Sequence, residues 1–95
     1  MQNKMNNRDY LILSRKILEL YFENKAFDKV SLLEHYPELK KHTATFITLT
    51  KNSQLRGCIG SLIAHKALLE DIEHNTLNAA LRDPRFSPLA EEELS

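Results

Sequence analysis

Apolar residues in the first quarter of the chain fall three and four positions apart: Tyr10, Leu13, Ile17, Leu20 and Tyr21, with Leu11, Leu18 and Phe22 widening the stripe. That spacing predicts an amphipathic helix over residues 7–24, broad enough on its apolar side to need a large surface beneath it. Asn6 or Asn7 is placed to cap the first turn, and Asp9 sits where a negative charge complements the helix dipole. Residues 25–41 mix charges with Phe27, Val30, Leu32, Leu33, Tyr36 and Leu39 and are interrupted by Pro37. They read as a connector carrying a short helical turn near residues 31–35. The period then changes. Residues 44–50 are rich in the β-branched and aromatic types that fit a pleated surface, residues 51–54 form a polar break of hairpin length, and an apolar pattern resumes over residues 55–62. Two antiparallel strands are expected. Helical spacing returns over residues 67–81, with Leu68, Leu69, Ile72, Ala79 and Ala80 on one side and Glu70, Asp71, Glu73 and Asn78 elsewhere. The Asp83-Pro84 step ends this helix, because the proline ring disfavours the helical conformation of the residue before it. Pro88 and the acidic residues 91–93 point to another helix starting near the end of the sequence. The pattern as a whole predicts an α+β fold, an antiparallel hairpin flanked by helices.

Composition narrows what such a fold can do. Ninety-five residues, 42% hydrophobic and 27% charged, make one ordinary domain or a piece of one. Thirteen basic residues against thirteen acidic ones cancel, so no net positive field attracts phosphate backbones, and general nucleic-acid binding is not expected. No stretch approaches the roughly 20 apolar residues of a membrane span. A single cysteine excludes an internal disulfide, and residues 1–8 are polar where a signal peptide would be apolar; a cytoplasmic location is the expectation. His35, His42, His65 and His74 form no i, i+4 pair and there is no Cys-x-x-Cys, so no metal site is expected. Without a Gly-x-Gly-x-x-Gly or Walker loop, no nucleotide cofactor is expected either.

The two glycines of the chain, Gly57 and Gly60, both lie beside its one cysteine, in Leu55-Arg56-Gly57-Cys58-Ile59-Gly60. Strand alternation sends Leu55, Gly57 and Ile59 to one face, with Leu55 and Ile59 toward the core, and Arg56, Cys58 and Gly60 to the other. Glycine in a strand often marks a bulge or a close approach of ligand or backbone. Two readings are open. Cys58 is a nucleophile or ligand contact, with Arg56 stabilising the thiolate or holding an anionic group; or Cys58 is a small buried hydrophobe, the glycines are packing devices, and Arg56 pairs with a carboxylate. His42 or His65 is a candidate base for the first reading.

Arg82-Asp83-Pro84-Arg85-Phe86 joins a helix stop to two guanidinium groups and a carboxylate. Asp before Pro suits a type I turn, with the carboxylate accepting from an amide two residues on. The turn accounts for Asp83 and Pro84; Arg82 and Arg85 are left as solvated or ion-paired groups, or as an anion or protein contact.

These two segments resemble a known family, the AmmeMemoRadiSam system protein A proteins, called in animals the AMME syndrome candidate gene 1 protein. The resemblance rests on Phe46-Ile47-Thr48-Leu49, on Leu55 to Gly60, and on Arg82-Asp83-Pro84-Arg85-Phe86-Ser87-Pro88-Leu89 followed by Glu91-Glu92-Glu93-Leu94, in that order. It covers residues 43–95, and residues 7–24 look like the family's opening helix. Family members are α+β proteins about twice this length, in which further strands complete the sheet and a smaller subdomain. The resemblance therefore implies that residues 1–95 are a single partial domain, the first half of the two-subdomain fold, and an unpaired strand edge then makes this piece marginally stable or self-associating. Ala90 stands where relatives often carry a capping threonine, and Leu81 where phenylalanine is common. The family name further implies partners, a Memo-like protein and a radical-SAM protein, and the signature carries a candidate site to Arg56, Gly57, Cys58 and Gly60, with Arg82, Asp83 and Arg85 as binding residues. Two functions follow: an adaptor or substrate-delivery component, or an enzyme using Cys58 as nucleophile or substrate-binding thiol.

Overall fold

A computed structural model of the chain describes residues 7–26, 28–64 and 66–94, and seven elements follow one another within them. Helix α1 (Asn7–Phe22) stops two residues before the spacing predicts. Asn24 is left-handed at φ 59°, its amide donates to the Tyr21 carbonyl at 3.1 Å, and the Lys25 amide donates to the Leu20 carbonyl at 2.9 Å. This bond pair is a Schellman stop, and Asn is among the few residues that accept its left-handed position, so Asn24 terminates the helix instead of extending it. The cap expected at Asn6 or Asn7 lies outside the described residues and side chains.

The connector carries helix α2 (Lys29–His35), two residues longer at its start than expected because the Asp28 side chain caps it, accepting from the Ser31 amide at 3.0 Å. Pro37 opens a 3₁₀ turn (Pro37–Lys40), which seats Leu39 fully in the core. Strands β1 (Phe46–Lys51) and β2 (Gln54–Gly60) pair antiparallel, closed by Asn52 and Ser53 at φ 53° and 64°. Positive φ at both central residues is the type I′ turn, whose twist matches that of the strands.

Register corrects one expectation. Thr50 opposes Leu55 but Leu49 opposes Gly57, so Arg56 is an extra residue, a β-bulge. Alternation therefore breaks at Arg56, and Leu55, expected in the core, stands 44% exposed. Beyond the bulge the pairs Ile47–Ile59 and Leu49–Gly57 form the inner face, and Phe46–Gly60 and Thr48–Cys58 the outer one.

Helix α3 (Leu68–Leu81) lies across the inner face and packs on both strands and on α1. Leu68, Leu69, Ile72, Ala79 and Ala80 are buried, as their spacing predicts. Asp71, placed on the outer side by the pattern, is buried too. Its carboxylate accepts from the Ser61 hydroxyl at 2.6 Å and from the Thr45 hydroxyl and amide at 2.7 and 2.8 Å, and Asn75 donates to it at 3.1 Å. Burial alone pushes the Asp71 carboxyl upward, yet the Ser61 and Thr45 hydrogen bonds outweigh it and hold it below its ordinary value. This one side chain ties both open ends of the hairpin to α3.

Two apolar clusters result. One gathers Leu13, Ile17, Leu39, Leu68, Leu69 and Ile72; the other joins Leu18, Ala80 and Leu89. The broad stripe of α1 is only partly covered, since Leu11 stays 72% exposed. After α3 the chain turns at Asp83-Pro84, returns Leu89 to the second cluster, and ends its described part in a 3₁₀ turn (Glu91–Leu94). Among the described residues, no helix is long and apolar enough to cross a membrane.

Candidate functional site

The free edge of β2 and the turn after α3 meet at Asp83. In the Thr48–Cys58 pair the Cys58 amide points away from β1, and it donates to Asp83 Oδ2 at 3.0 Å. Asp83 is buried, and its carboxylate also accepts from the Arg85 amide at 3.1 Å and from Arg85 Nε and Nη2 at 3.0 and 2.8 Å. The amide bond two residues on is the turn geometry expected of Asp before Pro. The Arg85 hydrogen bonds hold the Asp83 carboxyl far below its ordinary value, and Asp83 in turn raises Arg85. Asp83 thus has two tasks, closing the turn and docking it on the strand that carries the cysteine.

Cys58 is half-buried on the outer face of the hairpin, its Sγ 3.4 Å from the Thr48 hydroxyl. The Arg85 guanidinium lies within electrostatic reach of the sulfur and stands over the Phe86 ring at 5.5 Å. Arg56 is committed elsewhere. Its Nε and Nη2 donate to the two carboxylate oxygens of Glu93 at 3.3 and 2.9 Å, a fork-on-fork pair, and its guanidinium lies 6.0 Å from the centroid of the Phe86 ring. Lys51 Nζ joins the same carboxylate at 3.0 Å. Arg56 above all, then the Ala90 amide and Lys51, bring Glu93 down to about 2. The bulge accounts for this: the extra residue carries Arg56 out of the alternation it would need to share a face with Cys58.

The glycines have different jobs. A Cβ on Gly57 would run into the backbone carbonyl of Ala79, so Gly57 lets β2 lie directly on α3. On Gly60 it would run first into the ring of Phe46, which covers that glycine from the outer face and is 69% exposed.

Of the residues singled out by sequence, Arg56, Gly57, Cys58, Asp83 and Arg85 come together; Gly60 sits at the far end of the same strand, and Arg82 is exposed with no ion pair among the described residues. His42 bridges through its backbone to Ala67 and is not bonded to Cys58, Asp83 or Arg85, and His65 lies outside the described residues. Glu93, Thr48 and Phe46 belong to the segments that carry the family resemblance, but the sequence gives them no site role. Glu93 stands three residues after Ala90, where its carboxylate accepts from the Ala90 amide at 3.0 Å, half of a capping box. Among the described residues no three His, Cys, Asp or Glu side chains gather as a metal site.

The sequence model of the AMMECR1 family matches residues 11–95. A protein of Methanosarcina barkeri is 33% identical over 97 residues, covering 100% of this chain and 48% of its own, and one of Nanoarchaeum equitans is 35% identical over 83 residues, covering 86% and 45%. Among solved structures, the uncharacterized protein PH0010 from Pyrococcus horikoshii matches with a TM-score of 0.73 at 30% identity, over 88% of this chain and 43% of that one. The chain spans about half the length of the curated relatives it matches.

Proposed function

The chain belongs to the AMMECR1 family, and on that premise we propose that it is a non-catalytic adaptor or substrate-delivery component acting with a Memo-like protein and a radical-SAM protein. One observation carries this reading: the outer face of the hairpin sets Phe46, 69% exposed, and Leu55, 44% exposed, on either side of the half-buried Cys58, with the exposed guanidinium of Arg85 alongside. An aromatic ring and an arginine on one open face are side-chain types enriched at protein interfaces. Asp83 holds Arg85 by two side-chain hydrogen bonds, so its guanidinium loses little freedom on docking.

A second reading is favoured by the sulfur's own surroundings. Thr48 hydrogen-bonds the thiol and the pinned Arg85 lies within its electrostatic reach, so Cys58 can serve as a nucleophile toward a carbonyl or anionic substrate. Arg85 then takes the stabilising part that alternation assigned to Arg56. Capture of the two partners by Phe46→Asp and Cys58→Ser variants separates the readings. For the adaptor, Phe46→Asp weakens capture by about tenfold or more while Cys58→Ser retains it and supports the pathway. Full loss of the pathway product in Cys58→Ser, with capture intact, rejects the adaptor in favour of thiol chemistry.

A further inference from the structure

We propose that the Cys58 face of the hairpin holds a carboxylate, the acidic side chain of a docking protein, on the part of the Arg85 guanidinium that Asp83 leaves free. The inference rests on the adaptor reading and names the chemistry of the partner group. Arginine carries five N–H donors in a planar fork. Asp83 takes one at Nε and one at Nη2, which fills the side of the Arg85 guanidinium, and among the described residues no other acceptor takes the three that remain. Those three lie on Nη1 and Nη2, at the end of the group, where a carboxylate can accept two parallel hydrogen bonds. The side chain is 57% exposed, so a ligand can reach that end.

The guanidinium is in place before any ligand arrives. Asp83 Oδ2 accepts both from Arg85 Nη2 at 2.8 Å and from the Cys58 amide at 3.0 Å, so one buried carboxylate oxygen sets Arg85 beside β2. The Phe86 ring backs it, 5.5 Å away. An arginine held in this way gives up little rotamer freedom on binding. The exposed Thr48 hydroxyl, 3.4 Å from the Cys58 sulfur, has its own proton left for the ligand when the thiol donates to it.

Charge and shape select the occupant. No Asp or Glu lies between Glu38 and Glu70, so the hairpin brings no carboxylate of its own, and the two that bond to β2, Asp83 and Glu93, are each held by an arginine. Asp83 already cancels much of the Arg85 charge, which suits a singly charged carboxylate better than a phosphate dianion. Small ligands favour concave sites, whereas the cavities described on this molecule border residues other than Cys58 and Arg85. An open face with Phe46 exposed on it suits a side chain presented by another protein.

NMR titration of the isotope-labelled 95-residue chain with N-acetylglutamic acid α-amide, a blocked glutamate with one carboxylate, tests the site at constant ionic strength. The expected result is a saturating shift of the Arg85 Nε–H and Cys58 amide signals with a Kd in the millimolar range, absent with the blocked glutamine counterpart. Arg85→Lys keeps a charge but no fork and is expected to weaken binding about tenfold or more, and Thr48→Val about threefold. Lys41→Gln, an exposed cation away from Cys58, is expected to leave it unchanged. Should Arg85→Lys fail to fold, Thr48→Val and the titration of the parent chain decide. No saturation, an equal response to the glutamine counterpart or to chloride, tighter binding of inorganic phosphate, or binding indifferent to both substitutions overturns the proposal. Partner capture separates it from the reading beneath it: capture lost in Phe46→Asp but untouched in Arg85→Lys overturns this proposal and leaves the adaptor standing, while a saturating titration with capture indifferent to Phe46→Asp keeps the carboxylate site and overturns the adaptor.

Discussion

At Gly57 and Gly60 the same missing side chain serves two ends, and substitution separates them. What faces Gly57 is the backbone of Ala79 within α3, which cannot swing aside, so Gly57→Ala forces strand and helix apart. A loss of about 2 kcal/mol is expected, read as a fall in Tm of about 8–16 °C for a domain of this size. What faces Gly60 is the ring of an exposed phenylalanine, a side chain that can turn toward solvent where a helix backbone cannot, so Gly60→Ala is expected to cost less than Gly57→Ala, about 1 kcal/mol. Thermal unfolding of the two variants checks the ranking; equal losses would show that the Ala79 contact is not the constraint. Composition marked both glycines as unusual, but it could not say which one bears on a helix, since Ala79 reaches Gly57 only through the tertiary fold.

At the scale of the element, the hairpin turn holds a residue in a conformation for which its side chain is poorly suited. Asn tolerates the left-handed position at Asn52, but Ser53 at φ 64° has a Cβ in the way, a strain of about 1–2 kcal/mol. Ser53→Gly produces the Asn-Gly pair favoured by a type I′ turn and is expected to stabilise the domain by about 1 kcal/mol, a rise in Tm of about 4–8 °C. No rise in calorimetry would mean that the turn is not I′ in solution. The elements themselves were legible in the sequence because α1, the hairpin and α3 are written in spacing, which depends only on neighbours a turn or a pleat away. What escaped the pattern depends on distant residues. Asp71 is buried because Thr45, 26 residues away, and Ser61, 10 residues away, satisfy its carboxylate. Arg56 leaves the cysteine's face because a bulge frees it to meet Glu93, 37 residues on. The two segments of the candidate site were visible, one through its glycines and one through its helix stop, but their junction at the Cys58 amide was not, since a strand's outward N–H carries no mark in sequence.

For the whole molecule, attachment of the C-terminal segment to the hairpin rests on carboxylates, and this sets how stability depends on pH. Glu93 clasps Arg56 and Lys51 on the hairpin, and Asp83 holds the Cys58 amide. Arg56, with the Ala90 amide and Lys51, lowers Glu93 from an ordinary 4.5 to about 2, and Arg85 lowers Asp83 as well. A carboxyl whose folded value lies below its unfolded one binds more protons when unfolded, so folding is stabilised above the unfolded value and that contribution is lost as pH falls through the folded one. Glu93 therefore contributes fully above about pH 4.5 and loses its contribution between there and about pH 2. Tyr10 acts in the opposite limb: burial first, then its hydrogen bond to Glu38, raises the phenol to about 12, so stability that favours the neutral form is lost as pH climbs from 10.0 through that value. Denaturant titrations between about pH 6 and pH 2 are expected to show stability falling with acid. In Glu93→Gln, which cannot take up that proton, the fall should be shallower by about one proton per molecule, on a baseline already lowered at neutral pH by the lost ion pairs. Because glutamine keeps the length of the glutamate side chain, the 3₁₀ turn and Leu94 retain their seat in the second apolar cluster, and the difference between the two acid limbs reports the charge alone. An unchanged acid slope in Glu93→Gln would place the proton uptake elsewhere, at Asp83 or at the buried Asp71, and would mean that the Arg56 pair does not hold the segment in solution.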